Sequence, residues 1–182
     1  MIRLPCMRLL FLHGLESGPG GSKARFLSSH FTVLCPTLDT TLARGLTDAS
    51  SAADRITSLV SPVEVARSAV RSFQPDVVVG SSFGGAVLQC LWETNTWSGP
   101  SILLASAGYK FLGERSLIPR AIPHAVLVHG VHDEVIPFEH SLRLSQILKS
   151  PLLTPDDDHR LRSTLEGPVP LLLTAISLVL NS

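Results

Sequence analysis

The sequence is short of charge. Asp, Glu, Lys and Arg make up 16% of its 182 residues, against a usual share of about 25%. The 15 basic residues balance the 15 acidic ones, so the formal net charge is zero. A chain with 45% hydrophobic residues and so few charges is not a self-repelling disordered polymer. No Lys/Arg cluster occurs anywhere, and a basic patch is the usual footprint of a nucleic-acid partner. Cysteine is equally sparse: Cys6, Cys35 and Cys90 are odd in number, widely spaced and without a CxxC pair. That pattern argues against a disulfide framework and against a zinc site. Cys35 and Cys90 lie in the apolar runs FTVLCP and AVLQCLW and read as small buried hydrophobes. A reducing, cytoplasmic setting is expected.

Long hydrophobic runs are also missing. The stretch Leu9–Leu12 before His13 is shorter than the roughly 7–15 apolar residues of a signal peptide. The longest apolar segment, Val169–Leu180, contains Pro170, Thr174 and Ser177 and falls short of the about 20 residues needed to span a bilayer. It reads as a buried closing helix, and no membrane span is expected.

What the sequence does contain is a series of short apolar runs that end in turn residues. Arg8–Leu12, Thr32–Leu34, Val77–Val79, Ile102–Ala105 and Val126–Val128 are candidate strands, and Leu152–Leu153 is a weaker one. They lack period-two alternation, as expected of strands covered on both faces. Helical segments separate them. Ser61-Pro62-Val63-Glu64 reads as a helix start, with Ser61 capping and Pro62 in the first turn. Ala66, Ala69, Val70 and Phe73 share one face behind it, and Gln74-Pro75-Asp76 stops the helix. Gly84–Thr94 and Glu139–Leu148 are further helices. Alternating strands and helices predict a parallel, doubly wound α/β sheet in a single domain over residues 1–182. Tyr109–Pro123 is the one long interval without strand character, a small lid or a surface excursion. In such a sheet ligands bind at the carboxyl ends of the strands.

The run VVVGSSFGGAV places Gly80-Ser81-Ser82-Phe83-Gly84 after a strand and before a helix. This is G-x-S-x-G in its required context. The central residue sits in a strained turn, and side chains two positions to either side would strike neighbouring backbone; glycine removes both collisions. The turn lifts the Ser82 hydroxyl and aims the N–H of Phe83 at the same space. Ser81 competes, but its neighbours two residues away are Val79 and Phe83. The alternative is a glycine-rich turn with a structural serine.

A serine hydroxyl needs a base, and the base an orienting acid. Past the strand AVLVHG, Asp133 occupies a turn at the right edge of the sheet. Glu134 competes, but as the adjacent residue it points elsewhere, toward solvent; Asp133 could also be a plain turn-former. His159, in the loop Thr154-Pro155-Asp156-Asp157-Asp158-His159, is the candidate base. His140 lies in the helix after Asp133 and is expected to face solvent. His13 and His129 precede glycines at strand ends and read as structural or rim residues. The run Asp156–Asp158 either raises the pKa of His159 or forms a solvated acidic turn. A tetrahedral intermediate needs two preorganised donors. Phe83 N–H is one, and His13-Gly14 turns the chain so that Leu15 N–H can be the other, unless this is an ordinary glycine loop. Gly18–Lys23 fails as a phosphate-binding loop, because Ser22 precedes Lys23 and Ala24 follows it.

With GSSFGG, HGLESG, HGVHDEVIP and DDDHRL in place, the sequence resembles the α/β-hydrolase superfamily, most of all its small, cap-less serine esterases of the YqiA type. Those share an early HG-x-x-S loop, a G-x-S-x-G elbow, a G-x-x-D-x-x-[IV]-P acid loop and a late D-x-x-H segment. The match spans about residues 8–160. The resemblance implies a three-layer α/β-hydrolase fold with a mainly parallel sheet of about six strands. It also implies Ser82 as nucleophile, Asp133 as acid, His159 as base and backbone donors at Leu15 and Phe83. The implied activity is cleavage of a small-molecule ester or thioester through an acyl-enzyme, with neither a metal nor an organic cofactor. A peptidase or amidase would use the same triad, and a non-catalytic protein-binding module would keep it misaligned. The triple Asp156–Asp158 and the apolar tail after Gly167 depart from the resemblance.

Overall fold

A computed structural model describes residues 7–117 and 124–181. Cys6 and the last part of the Tyr109–Pro123 interval lie outside the described residues. Six strands form one sheet: β1 (Arg8–Leu12), β2 (Thr32–Leu34), β3 (Val77–Ser81), β4 (Ser101–Leu104), β5 (Ala125–Val128) and β6 (Leu152–Leu153). Their order is β2-β1-β3-β4-β5-β6, and every neighbouring pair is parallel. Each candidate strand of the sequence is a strand, including the short Leu152–Leu153.

Side chains alternate across the sheet, and both faces are buried. Leu10, Leu12, Val78, Leu103 and Leu127 enter one core. Leu9, Phe11, Val77, Val79, Ile102, Leu104, Val126 and Val128 enter the other. The first is covered by α2 (Thr41–Arg44), α3 (Ala52–Phe73), α4 (Phe83–Glu93), α5 (Gly108–Leu112) and α6 (Phe138–Leu148). The second is covered by α1 (Ser22–Ser28) and α7 (Leu171–Leu180). Two-sided burial is why these strands are apolar throughout. Leu172, Ala175, Ile176 and Val179 bury one face of α7, which makes it the closing helix expected of the C-terminal apolar run.

One helix start differs from expectation. α3 begins at Ala52, and Pro62 lies inside it. The cap is Ser51: its Oγ accepts the Asp54 N–H at 3.1 Å and the Asp54 carboxylate accepts the Ser51 N–H at 2.9 Å. This reciprocal capping box outcompetes the one at Ser61. A proline inside a helix costs about 3 kcal/mol, but Pro62 is buried in line with Leu59, Val63 and Ala66. The burial of that face offsets the lost hydrogen bond. The interval from Tyr109 is helical as far as described: α5 runs into a 3-10 turn at Gly113–Leu117, and Phe111 and Leu112 are buried. It packs onto α3 and α4 rather than standing clear of the surface.

The strand order reverses direction between β1 and β3. In a doubly wound sheet this switch point opens a crevice at the carboxyl ends of the two strands. The loop after β1 carries Gly14 and Leu15, and the turn after β3 carries Ser82 and Phe83. Both sequence-derived motifs therefore open onto one crevice.

Candidate active site

Ser82 sits between β3 and α4 with φ 52° and ψ −113°. This backbone conformation costs a non-glycine residue about 1–3 kcal/mol. The surrounding chain holds it there. Ser82 N–H donates to the Leu104 carbonyl at 2.9 Å, and its own carbonyl accepts from Gly85 N–H at 2.9 Å and Ala107 N–H at 3.0 Å. The flanking glycines are sterically required. A Cβ on Gly80 would stand 2.6 Å from the Gly84 carbonyl oxygen, and one on Gly84 would overlap the carbonyl of Leu12. Ser82 thus occupies the elbow, whereas Ser81 is the last residue of β3 and is buried.

The three side chains singled out as a triad meet. His159 Nε2 lies 3.0 Å from Ser82 Oγ, and His159 Nδ1 lies 2.7 Å from Asp133 Oδ2. An ionised carboxylate can only accept, so Nδ1 carries the proton and Nε2 is free to accept from the serine hydroxyl. The Asp133 side chain is fully buried and that of His159 is 20% exposed. Asp133 Oδ1 accepts the backbone N–H of Val135 and of Ile136, each at 2.8 Å. Burial alone would raise the Asp133 pKa. The hydrogen bonds from His129, His159, Ile136 and Val135 outweigh it and hold the carboxyl well below the usual carboxylate range. Glu134, its neighbour, is exposed.

The loops that carry Asp133 and His159 are built against each other. Gly130 packs so closely on the Asp157 carbonyl that a Cβ would overlap it. Val131 N–H donates to the Pro155 carbonyl at 3.1 Å and His132 N–H to the Asp157 carbonyl at 3.0 Å. His132 Nε2 meets Asp156 Oδ1 at 2.6 Å. The other two aspartates shape the turn: Asp157 Oδ2 accepts from Ser163 N–H at 2.7 Å, and Asp158 Oδ1 accepts from Arg160 N–H at 2.7 Å. No hydrogen bond joins any of the three to the His159 ring among the described residues. Lys23 completes the loop's support by donating to the Arg160 carbonyl at 2.5 Å. Burial lowers its pKa against the opposing pull of Asp157 and Asp158. Lys23 ends the glycine-rich segment that fails as a phosphate loop, and its contact lies 137 residues away, beyond the reach of any local pattern.

Phe83 N–H and Leu15 N–H have no hydrogen-bond acceptor among the described residues. Phe83 opens α4, where the first N–H groups lack an intrahelical partner. Gly14 brings the β1 loop onto the elbow: a Cβ there would stand 3.3 Å from Ser82 Cβ. Arg44 grips the carbonyl of Leu15 through both Nε, at 3.1 Å, and Nη2, which fixes the orientation of that residue's backbone.

The remaining histidines divide by environment. His13 is buried, with Nδ1 2.8 Å from the Gly14 carbonyl and Nε2 accepting Leu38 N–H at 3.0 Å; it ties the β1 loop to the segment before α2. His140 does not face open solvent. Its ring lies 4.3 Å from that of Tyr109, and burial lowers its pKa. His129 is not at the rim. It is fully buried, with Nε2 3.1 Å from Asp133 Oδ2. Its place four residues before Asp133 was the available signal, but His13-Gly14 offers the same local pattern with a different partner.

A cleft of about 600 Å³ lies between the first turns of α3 and α5, lined by Ile56, Tyr109, Phe111 and Leu112 with Arg55 and Lys110. Ser82, Asp133 and His159 do not line it. Among the described residues, no group of three or more His, Cys, Asp or Glu is placed to hold a metal ion, and no helix is long and apolar enough to cross a membrane.

This architecture is the α/β-hydrolase fold. A protein from Xanthomonas campestris pv. campestris, described as belonging to the alpha/beta hydrolase superfamily, has a similar structure with a TM-score of 0.66. It is 23% identical over 96% of this chain and 97% of its own. An alpha-beta serine hydrolase homologue from Coxiella burnetii matches with a TM-score of 0.64 and 14% identity, over 96% of this chain and 84% of its own. One of the metagenome-derived lipolytic enzymes LipS and LipT matches with a TM-score of 0.68 and 16% identity, over 97% and 94%. No protein-family model matches the sequence, and no curated protein matches it.

Proposed function

We propose that the protein is a serine hydrolase that cleaves small carboxylic esters or thioesters through an acyl-enzyme. The observation that carries this reading is the single imidazole bonded at one nitrogen to Asp133 and at the other to Ser82. His159 Nε2 takes the Ser82 proton as Oγ attacks the acyl carbonyl carbon. The resulting oxyanion is held by the N–H groups of Phe83 and Leu15. As the intermediate collapses, the bond to the alcohol or thiol breaks, and the leaving group takes the proton from His159. Water then enters, gives a proton to His159 and attacks the acyl carbon. Release of the acid returns the proton to Ser82. Asp133 stays ionised throughout and stabilises the imidazolium that forms twice in the cycle.

The interval from Tyr109 packs, as far as it is described, onto α3 and α4, which favours a site without a large cover and a small acyl group. Hydrolysis of p-nitrophenyl acetate or butyrate is expected to exceed that of long-chain esters and to vanish in Ser82→Ala. Faster turnover of long chains would contradict the small-substrate reading. Hydrolysis of amides but not of esters would place the same triad in a peptidase or amidase. Among the described residues Cys35 and Cys90 are free thiols, and burial pushes them up to about 11 and about 12; unpaired, unreactive thiols fit a reducing, cytoplasmic setting.

A further inference from the structure

His129 follows β5 directly, and its side chain is fully buried. Both ring nitrogens are engaged. Nδ1 lies 2.7 Å from Ser141 Oγ on α6. Nε2 lies 3.0 Å from the Ile136 carbonyl and 3.1 Å from Asp133 Oδ2. The two groups facing Nε2 only accept, so Nε2 carries the proton and Nδ1 accepts from the Ser141 hydroxyl. The tautomer is therefore the reverse of that of His159. Phe138 packs edge-on against the ring, with centroids 5.5 Å apart, and limits its rotation.

Asp133 consequently has a full set of donors. Two backbone N–H groups donate to Oδ1 and the His159 Nδ1–H to Oδ2, and the His129 Nε2–H, which donates to the Ile136 carbonyl, stands 3.1 Å from Oδ2 as well. A buried histidine with only a structural task would be satisfied by the Ile136 carbonyl alone. Here the Asp133 carboxylate lies within 3.1 Å of the same N–H, and His129 is among the groups that hold that carboxyl ionised against burial.

We infer that His129 is a positioning residue for the triad: with Ser141 setting its tautomer, its Nε2–H fixes the Asp133 carboxylate so that Oδ2 stays aligned with His159 Nδ1. This rests on the hydrolase reading. It extends the chain of contacts to Ser82–His159–Asp133–His129–Ser141. His129 touches neither the nucleophile nor the base, so its effect falls on the orientation of the base, a property of the chemical step rather than of substrate binding.

The test compares His129→Leu, His129→Gln and Ser141→Ala with the wild type. Three quantities are read: kcat and KM on p-nitrophenyl acetate, the folded fraction by circular dichroism, and the low-field proton resonance of His159 Nδ1–H. Glutamine keeps an N–H near the Nε2 position; leucine fills the space without one. His129→Leu is expected to lose about ten- to hundredfold in kcat with little change in KM, a fraction of the about 10⁴-fold cost of removing the acid's function altogether. Its His159 resonance is expected to shift or broaden, and His129→Gln to recover most of both. Ser141→Ala, a smaller change, is expected to lose severalfold in kcat and to move the same resonance, and it decides the matter if His129→Leu fails to fold. Folded variants with unchanged kcat and an unmoved resonance would overturn the inference. A wild type that hydrolyses nothing, yet whose resonance responds to His129→Leu, would count against the hydrolase reading while upholding the tie between His129 and Asp133.

Discussion

Asp133 is the residue on which the electrostatics of the site turn. Its carboxyl is held below the usual range, with burial opposed by four hydrogen-bond donors. A carboxylate with a depressed folded pKa stabilises the native state fully above its unfolded value of about 3.9 and loses that contribution as pH falls through the folded value. Urea denaturation of the wild type and of Asp133→Asn is therefore expected to show a stability gap that is steady above about pH 5 and narrows steadily below about pH 4. A gap that stays constant from neutral pH into that acid range would mean that the carboxylate gains nothing from its partners. Ser82, Asp133 and His159 were legible in the sequence because each stands in a local pattern whose steric or chemical cause is short-range: glycines two residues away, a turn past a strand, a loop past the last strand. The contacts of His129 and Lys23 were not legible. A histidine before a glycine at a strand end leads in one case to the Leu38 N–H and in the other to Asp133, and only the assembled fold distinguishes them.

At the scale of elements, the sequence located all six strands and the body of four helices, α3, α4, α6 and α7, but misjudged where α3 begins. Ser61-Pro62 looks like a helix start because a cap and a proline coincide there; the reciprocal bonds of Ser51 and Asp54 start the helix earlier and leave Pro62 in its interior. The helix behind Ser82 is tied to the segment after β4 by a buried polar network equally invisible to periodicity. Ser106 Oγ donates to Gln89 Oε1 at 2.8 Å, Gln89 Nε2 donates to the Ser116 carbonyl at 2.9 Å, and Gly108 N–H donates to Ser106 Oγ at 3.1 Å. Gln89 is 4% exposed. Gln89→Leu leaves the Ser106 hydroxyl and the Ser116 carbonyl without that partner, and a loss of about 1–3 kcal/mol is expected in chemical denaturation. An unchanged midpoint and slope would show that the network contributes no net stability.

At the scale of the whole molecule, the poverty of charge and the order of the strands have one cause and one consequence. Strands buried on both faces have no exposed side on which to carry charge, so the polar residues are pushed to loops and outer helix faces. The candidate site gathers at the carboxyl edge, where the switch point between β1 and β3 sets the Leu15 loop beside the Ser82 turn. Asp133 and His159 reach that edge from the loops after β5 and β6. The whole arrangement is only as meaningful as the reactivity of one hydroxyl. Labelling with a fluorophosphonate probe tests it most directly, since the probe reacts with a serine activated by its base and not with an ordinary surface hydroxyl. The account predicts one adduct, at Ser82, abolished in Ser82→Ala and strongly slowed in His159→Ala. A folded wild type that takes up no label, or a Ser82→Ala variant that labels as readily, would contradict it.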